Sequence, residues 1–484
     1  MKRKIKWLLW TLVLLTFLGV GGWQFENWRG NRAWQSALAR AEAEGVELDF
    51  SVPEKPNLPD NENLLKNEVF LKEYLGEVEP ILRNWDRMEL VENDQKRRSR
   101  RKDRPRIYDN PAKGKFVDFR GMFEDEPDSM IAEKRIDELT EDIQGRTDAI
   151  AELILNYPIH DLDDYEKFDP EGDAKGTTRL KLGSFANLCW SLETQAILSL
   201  RLNRPEKALR NFKAIGRLAQ GVQRPGSINA LISHSLRGAN KSIIWEGIRL
   251  HAWSDAQLAE LVLVVNSEDP IAVMEESLLL DLLYNLHTMK YASSYYPPSL
   301  FVGEDDDDDS FGEESDPGFA LKVRHSIGTK GPRGWTSQRK AILLNSYADL
   351  MAYRDEWHNY PDDGDKWDDW PGDPRIFNPF FVAKYANIPT YHTVSSGLKS
   401  ESSRRIALIA LAAEKHYQDQ GSYPASLAEM KLGFDTTDVT DPKQRPISYK
   451  LDKNGYPEIW SLHESQNAKR PRLRWQFWED ETPP

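Results

Sequence analysis

The chain has 484 residues, a formal net charge of −14 and 16 tryptophans, with a mean hydropathy of −0.64. The acidic balance argues against a general nucleic-acid binder, because phosphate contacts need a net basic face. Cys189 is the only cysteine, so an intrachain disulfide and a cysteine-based metal cluster are both excluded.

Residues 1–28 predict a cytoplasmic tip followed by a transmembrane signal-anchor. Residues 7–23 carry no charge and extend about 26 Å as a helix, close to a hydrocarbon core of about 30 Å. Four cationic side chains precede this run and place the N-terminus in the cytoplasm by the positive-inside rule: Lys2, Arg3, Lys4 and Lys6. A cleaved secretory signal is the alternative, and both interpretations export the bulk of the chain. Export without disulfides is typical of a bacterial envelope, so we expect a single-pass protein of the bacterial cytoplasmic membrane, anchored by residues 5–23, with its bulk extracytoplasmic.

Residues 29–130 predict a stalk and a partly irregular, basic linker. The anchor helix should continue outward and stop at Gly45, and three prolines at 51–59 then favour an extended segment. The run at 96–106 is dense in Lys and Arg. It is either a solvated loop balanced by acidic segments elsewhere, or a surface for anionic lipid, cell-wall polymer or an acidic partner.

Residues 131–300 predict an all-α helical domain. One stripe repeats every four residues and defines a buried helix face: Leu188, Leu192, Ala196 and Leu200. A turn at residues 203–206 leads into a second helix with Ala208 and Phe212 on one side. This pair resembles a single tetratricopeptide unit; no second copy is present, so it predicts an antiparallel helical pair. Further helices are expected at 228–250, at 258–265 after a capping box of Ser254 and Gln257, and from Pro270 onward.

Residues 301–336 predict a disordered, exposed acidic loop, because the five consecutive aspartates at 305–309 repel one another. Residues 337–400 predict a helical extension with a loop rich in Asp and Trp at 360–373. Five carboxylates in that loop are calcium candidates: Asp362, Asp363, Asp365, Asp368 and Asp369. The EF-hand spacing is not met. The alternatives are a sugar platform built on the loop tryptophans, or a purely structural loop. No other cofactor is predicted.

Residues 401–484 predict a small α+β module with a short antiparallel sheet. An apolar helix beginning near Ile406 is followed by a Gly-x-Tyr-Pro turn, an Asp-Pro loop and two strands joined at Asn454-Gly455. Eight residues of 404–462 carry a resemblance to the soluble module of type II secretion pseudopilins: Tyr417, Gly421, Tyr423, Pro424, Leu427, Asp441, Pro442 and Tyr449. The chain also resembles uncharacterised, membrane-anchored bacterial proteins that carry this module after a helical body. The N-terminal anchor lacks a prepilin-peptidase site, so pilus-like polymerisation is not implied.

The sequence therefore predicts a mainly α fold: a transmembrane helix, a body of helical hairpins and the C-terminal α+β module. Neither a catalytic nor a cofactor-binding motif is present, which favours a non-enzymatic role and leaves enzymatic activity open. The favoured function is a membrane-anchored extracytoplasmic scaffold that binds a protein partner. The alternatives are an extracytoplasmic hydrolase or polysaccharide-processing enzyme, and a protein that binds envelope polymer or a lipid surface.

Overall fold

The computed structural model describes residues 2–46, 64, 67, 106–110, 114–118, 134, 137–138, 141–157, 182–221, 227–295, 333–352, 382–430, 440–442, 444–461 and 474–475. Within these ranges the fold is mostly helical, as predicted. The helices are α1 (Lys2–Ala43), α2 (Glu141–Asn156), α3 (Leu182–Arg201), α4 (Pro205–Gly221), α5 (Ser227–Arg249), α6 (Asp255–Asn266), α7 (Pro270–Tyr295), α8 (Arg333–Ala352) and α9 (Val382–Gln420).

The strands form two small antiparallel sheets. β1 (Arg106–Asn110) pairs with β2 (Gly114–Asp118) in a hairpin, which lies where the sequence predicts a linker. Near the C-terminus, β3 (Ser448–Leu451), β4 (Pro457–Trp460) and β5 (Arg474–Trp475) form a sheet in that order. The predicted antiparallel sheet is therefore present. Gly455, in the turn between β3 and β4, has a φ of +83°, which favours glycine.

Three helices end in the same backbone motif, in which a residue with positive φ follows the helix. Gly45 ends α1 as predicted: its amide donates to the Glu42 carbonyl, and the Val46 amide donates to that of Ala41. These are the two hydrogen bonds of a Schellman cap. Asn203 repeats this arrangement after α3 and His251 repeats it after α5. Non-glycine residues are uncommon at positive φ, and Asn and His are among the types enriched there.

The larger hydrophobic core joins α2–α6 to α9 and the C-terminal sheet. Helix α5 packs against α3, α4, α7 and α9. The predicted stripe of α3 is buried along its length, and Phe212 of α4 is fully enclosed. The Ser254–Gln257 capping box is formed at the start of α6. These helices form at the positions that their apolar periodicity and capping residues predict. Their apolar faces meet in one core, which stabilises them.

A second hydrophobic core joins α1 to α7, α8 and α9. Ala37 and Ala41 of α1 are buried in it beside Leu344 and Tyr347 of α8. The second half of α1 is thus part of the folded body and not a free stalk.

Helix α9 is longer than the sequence predicts. It runs without interruption over 39 residues, and the residue pair 400–401, where the sequence suggests a domain boundary, lies inside it. Its C-terminal part packs on α5, α6 and β4, while its middle contacts α7. The apolar run from Ile406 is therefore the continuation of a helix that begins at Val382.

Candidate functional site

The first half of α1 presents an exposed apolar surface. The large hydrophobic side chains between Ile5 and Phe25 are 44–80% exposed. The helix Lys4–Ala43 contains a window of mean hydropathy 1.7 and is, by length and composition, the one described helix that could cross a membrane. An exposed apolar segment of this length is compatible with a membrane anchor.

The second half of α1 lies beside α8, and the two helices run in the same direction. Arg29 donates to Gln338, Ser337 donates to Asn31, and Arg40 bonds Asp349. Partners in these contacts differ by 306 to 309 residues, so the start of α8 at Arg333 lies level with residues 24–27. Helix α8 therefore begins where the apolar run of α1 ends.

Polar and charged side chains are buried in a seam between α5, α7 and α9. On α5, His234, Arg237 and Lys241 follow one another at a spacing that places them on one helix face, and all are buried. Lys241 Nζ lies 3.3 Å from the Ser400 carbonyl oxygen and 3.7 Å from Glu268 Oε2. Burial lowers the pKa of Lys241, and the Glu268 carboxylate opposes this effect.

Helix α9 contributes an ion-paired cluster to the same seam. Glu401 accepts hydrogen bonds from Arg404 at 2.7 Å and from Arg405 at 2.6 Å. Burial alone would raise the pKa of Glu401, but the two guanidinium groups outweigh it and the pKa is lowered. Arg405 also donates to the Thr440 carbonyl at 2.6 Å, which ties the seam to the C-terminal module.

Several buried polar atoms of the seam have no hydrogen-bond partner within the described part of the chain. They are both ring nitrogens of His234, Arg237 Nη1, Glu268 Oε2 and Ser400 Oγ. Burial, followed by the positive charges of Arg237 and Lys241, lowers the pKa of His234 to about 3. His234 is therefore neutral at physiological pH and can donate one hydrogen bond and accept another.

A second cluster lies where α5 meets the C-terminal module. Glu414 is fully buried; its Oε1 lies 3.0 Å from His251 Nδ1, and its Oε2 accepts a hydrogen bond of 2.9 Å from the Tyr423 hydroxyl. The His251 ring stacks on Tyr417 with centroids 4.2 Å apart. Burial raises the pKa of Tyr423, and the nearby Glu414 charge raises it further. Glu414 can therefore orient the imidazole of His251.

The residues that carry the pseudopilin resemblance have structural contacts in this fold. Gly421 ends α9 with a φ of +75°, and the Tyr449 hydroxyl donates to the Pro424 carbonyl at 2.8 Å. The buried Asp441 carboxylate accepts hydrogen bonds from Arg445 and, at 2.7 Å, from Ser461. Together these bonds fix the two loops of the module against its sheet.

The predicted calcium residues Asp362, Asp363, Asp365, Asp368 and Asp369 lie outside the described residues, as do the basic run before Arg106 and the acidic run at 304–316. Within the described ranges, no group of three or more metal-ligating side chains is present. Cys189 is fully buried, and burial followed by the nearby Glu193 charge raises the pKa of its thiol. Cys189 therefore packs as a small side chain in the larger core.

The polar seam and the Glu414 cluster are not predicted by the sequence analysis. The signal that could have located them is a polar residue at a core position of a helix. Glu414 follows the apolar run 406–413, and Arg237 and Lys241 lie on the side of α5 that faces other helices. Charged residues are so frequent in this chain that position alone did not distinguish these from solvated ones.

Comparison of the chain with protein-family models, with curated proteins and with solved structures gives no significant match in any of the three.

Proposed function

We propose that this protein is a single-pass, membrane-anchored scaffold whose body lies on the extracytoplasmic side of a bacterial cytoplasmic membrane and binds a protein partner. The observation that carries the proposal is the continuity of α1, a helix of 42 residues. Its apolar first half is exposed, and its second half is packed into the body. Such a helix would hold the body at a fixed orientation close to the bilayer.

The charge distribution around the apolar run supports the proposed orientation. Four cationic side chains precede the run, whereas Arg29, which follows it, is paired with Glu26 at 2.7 Å. An exposed aromatic group of Trp23, Phe25 and Trp28 lies at the outer end of the run. Tryptophan is enriched at membrane interfaces, where its ring is half apolar and half polar. The pattern fits an N-terminus in the cytoplasm.

Sidedness can be tested by labelling single engineered cysteines in intact cells with a membrane-impermeant maleimide. The buried Cys189 provides a low background. Lys453→Cys, in the exposed turn between β3 and β4, should react in intact cells. The matched variant Lys4→Cys should react only after lysis. The reverse pattern would refute the proposed orientation, and loss of both variants to the soluble fraction would refute anchoring.

The scaffold role can be tested by photo-crosslinking in native membranes. Among the described residues outside α1, Leu263 on α6 is the large hydrophobic side chain that is strongly exposed, at 71%. A photoreactive residue at Leu263 should give a discrete adduct of constant mass, and one at Lys4 should not give that adduct. A body that remains uncrosslinked from Leu263 and from Lys453 would count against a protein-binding role.

A further inference from the structure

Helix α1 has two different faces in the turns that follow its apolar run. Phe25, Trp28 and Arg32 occupy i, i+3 and i+7 positions, which places them on one face of the helix. At about 3.6 residues per turn, this face is opposite to the one on which Ala37 and Ala41 pack into the body. Both rings are more than half exposed, and Arg32 is exposed as well. The outer face of α1 is therefore open to whatever surrounds the helix at this level.

The three side chains of this outer face are stacked on one another. The ring centroids of Phe25 and Trp28 are 5.9 Å apart, and Arg32 Cζ lies 5.5 Å from the centroid of the Trp28 ring. The negative face of an indole attracts a guanidinium and keeps it in place. Within the described ranges Arg32 forms no ion pair, whereas Arg29 is paired with Glu26 at 2.7 Å. The Trp28 ring thus holds a positive charge whose N–H groups are available to a ligand.

The guanidinium of Arg32 lies at the depth expected for lipid phosphates. Trp23 ends the uncharged run, and Trp28 follows it by five residues, or about 7.5 Å along the helix. The headgroup layer on each side of a bilayer is about 5–8 Å thick, so Trp28 lies in its outer part. Helical side chains lean toward the N-terminus of their helix, and the contact with Trp28 shows that the Arg32 guanidinium reaches back to this level.

We propose that the Trp28–Arg32 pair binds the phosphate of an anionic phospholipid in the outer leaflet, which rests on the membrane anchoring proposed above. The guanidinium offers paired N–H donors that match two phosphate oxygens. The Phe25 ring lies on the membrane side of Trp28 and contacts the less polar part of the lipid. Arg32 occupies one face of Trp28, where a choline cation would otherwise bind, and so favours a headgroup without a cation. The bound lipid would fix the depth and rotation of α1.

The proposal can be tested by photo-crosslinking the full-length protein to lipid in liposomes of equal phosphatidylglycerol and phosphatidylcholine. A photoreactive phenylalanine analogue in place of Phe25 should form adducts whose mass identifies the lipid. Adducts with phosphatidylglycerol should exceed those with phosphatidylcholine about fivefold, as is typical of one arginine near an anionic surface. Arg32→Gln should bring this ratio close to one. Arg40→Gln is the matched control and should leave it unchanged, because Arg40 lies eight residues farther along α1 and is paired with Asp349.

The possible outcomes separate this proposal from that of anchoring. Equal labelling of the two lipids in the wild-type background would overturn the lipid site and leave the anchor in place. An unchanged ratio in Arg32→Gln would also overturn it, since the preference would then arise elsewhere. Adducts with a second copy of the chain in place of lipid would make the outer face a self-association surface. The absence of any lipid adduct would overturn the proposed anchoring as well, because position 25 would then lie outside the membrane.

Discussion

Replacement of Glu246 by Gln should strongly destabilise the helical body. Glu246 on α5 is fully buried and accepts hydrogen bonds of 2.7 Å from Arg201 and 2.6 Å from Arg249. Burial alone would raise its pKa, but the two guanidinium groups lower it from 4.5 to about 2. A shift of this size corresponds to about 3 kcal/mol of stabilisation. The variant would leave both cations without their shared carboxylate, for which a loss of about 3–5 kcal/mol is typical.

The free energy of unfolding can be measured by urea titration of the full-length protein in detergent, followed by circular dichroism at pH 7. Glu152→Gln is the matched control, because Glu152 is 55% exposed and lies 3.6 Å from Arg210; it should change stability by less than about 0.5 kcal/mol. A Glu246→Gln variant within about 1 kcal/mol of the wild type would refute the interpretation of this triad.

The pH dependence provides a second measurement of the same interaction. The pKa of Glu246 is lower in the folded than in the unfolded chain, so its contribution is complete above pH 4.5 and is lost as the pH falls toward about 2. The difference in stability between Glu246→Gln and the wild type should therefore be constant from pH 5 to pH 7 and decrease in acid. A constant difference down to pH 2.5 would contradict this prediction.

Two other predictions concern α5 and α2. A Cβ added at Gly247 would lie 1.9 Å from Trp253 Nε1, so Gly247→Ala should destabilise the protein by about 1–3 kcal/mol. Gly145→Ala is the control, because a Cβ at Gly145 has no atom within 4 Å; it should stabilise the protein by about 0.5–1 kcal/mol. Equal urea midpoints for the two variants would refute the close packing of Gly247 on Trp253. The folded-state pKa of His234 is about 3, below its ordinary 6.5, so the wild type should lose stability as the pH falls below 6.5, and His234→Gln should reduce that loss in thermal melts. An identical pH profile of the two proteins would show that His234 is not held neutral.

Much of the helical architecture could be predicted because its signals are local. The stripe on α3, the capping box before α6 and the turn glycine at 455 each act within a few residues. The end of α1 at Gly45 is of the same kind, since one residue with positive φ satisfies the last carbonyl groups of the helix. The periodicity and the capping residues therefore placed these elements correctly.

The β1–β2 hairpin and the early start of α9 were not predictable in this way. The strands of the hairpin have five residues each and stand among charged residues, so their alternation is too short to be distinguished from a linker. Helix α9 passes through the polar sequence around residues 395–405, where the apolar stripe is interrupted. Several of those polar residues, including Glu401 and Arg404, are buried and paired. Burial of paired charges leaves no hydrophobic pattern in the sequence.

By itself, the sequence determined that an uncharged segment of membrane length follows a cationic N-terminus, and that most of the remaining chain is helical. Both follow from composition and from periodicity within single elements. Only the tertiary structure decided that α1 lies parallel to α8, some 300 residues away, and that Arg237, Lys241 and Glu401 meet in one seam. Contacts between distant elements depend on how whole helix faces pack together, and no local pattern encodes which faces will meet.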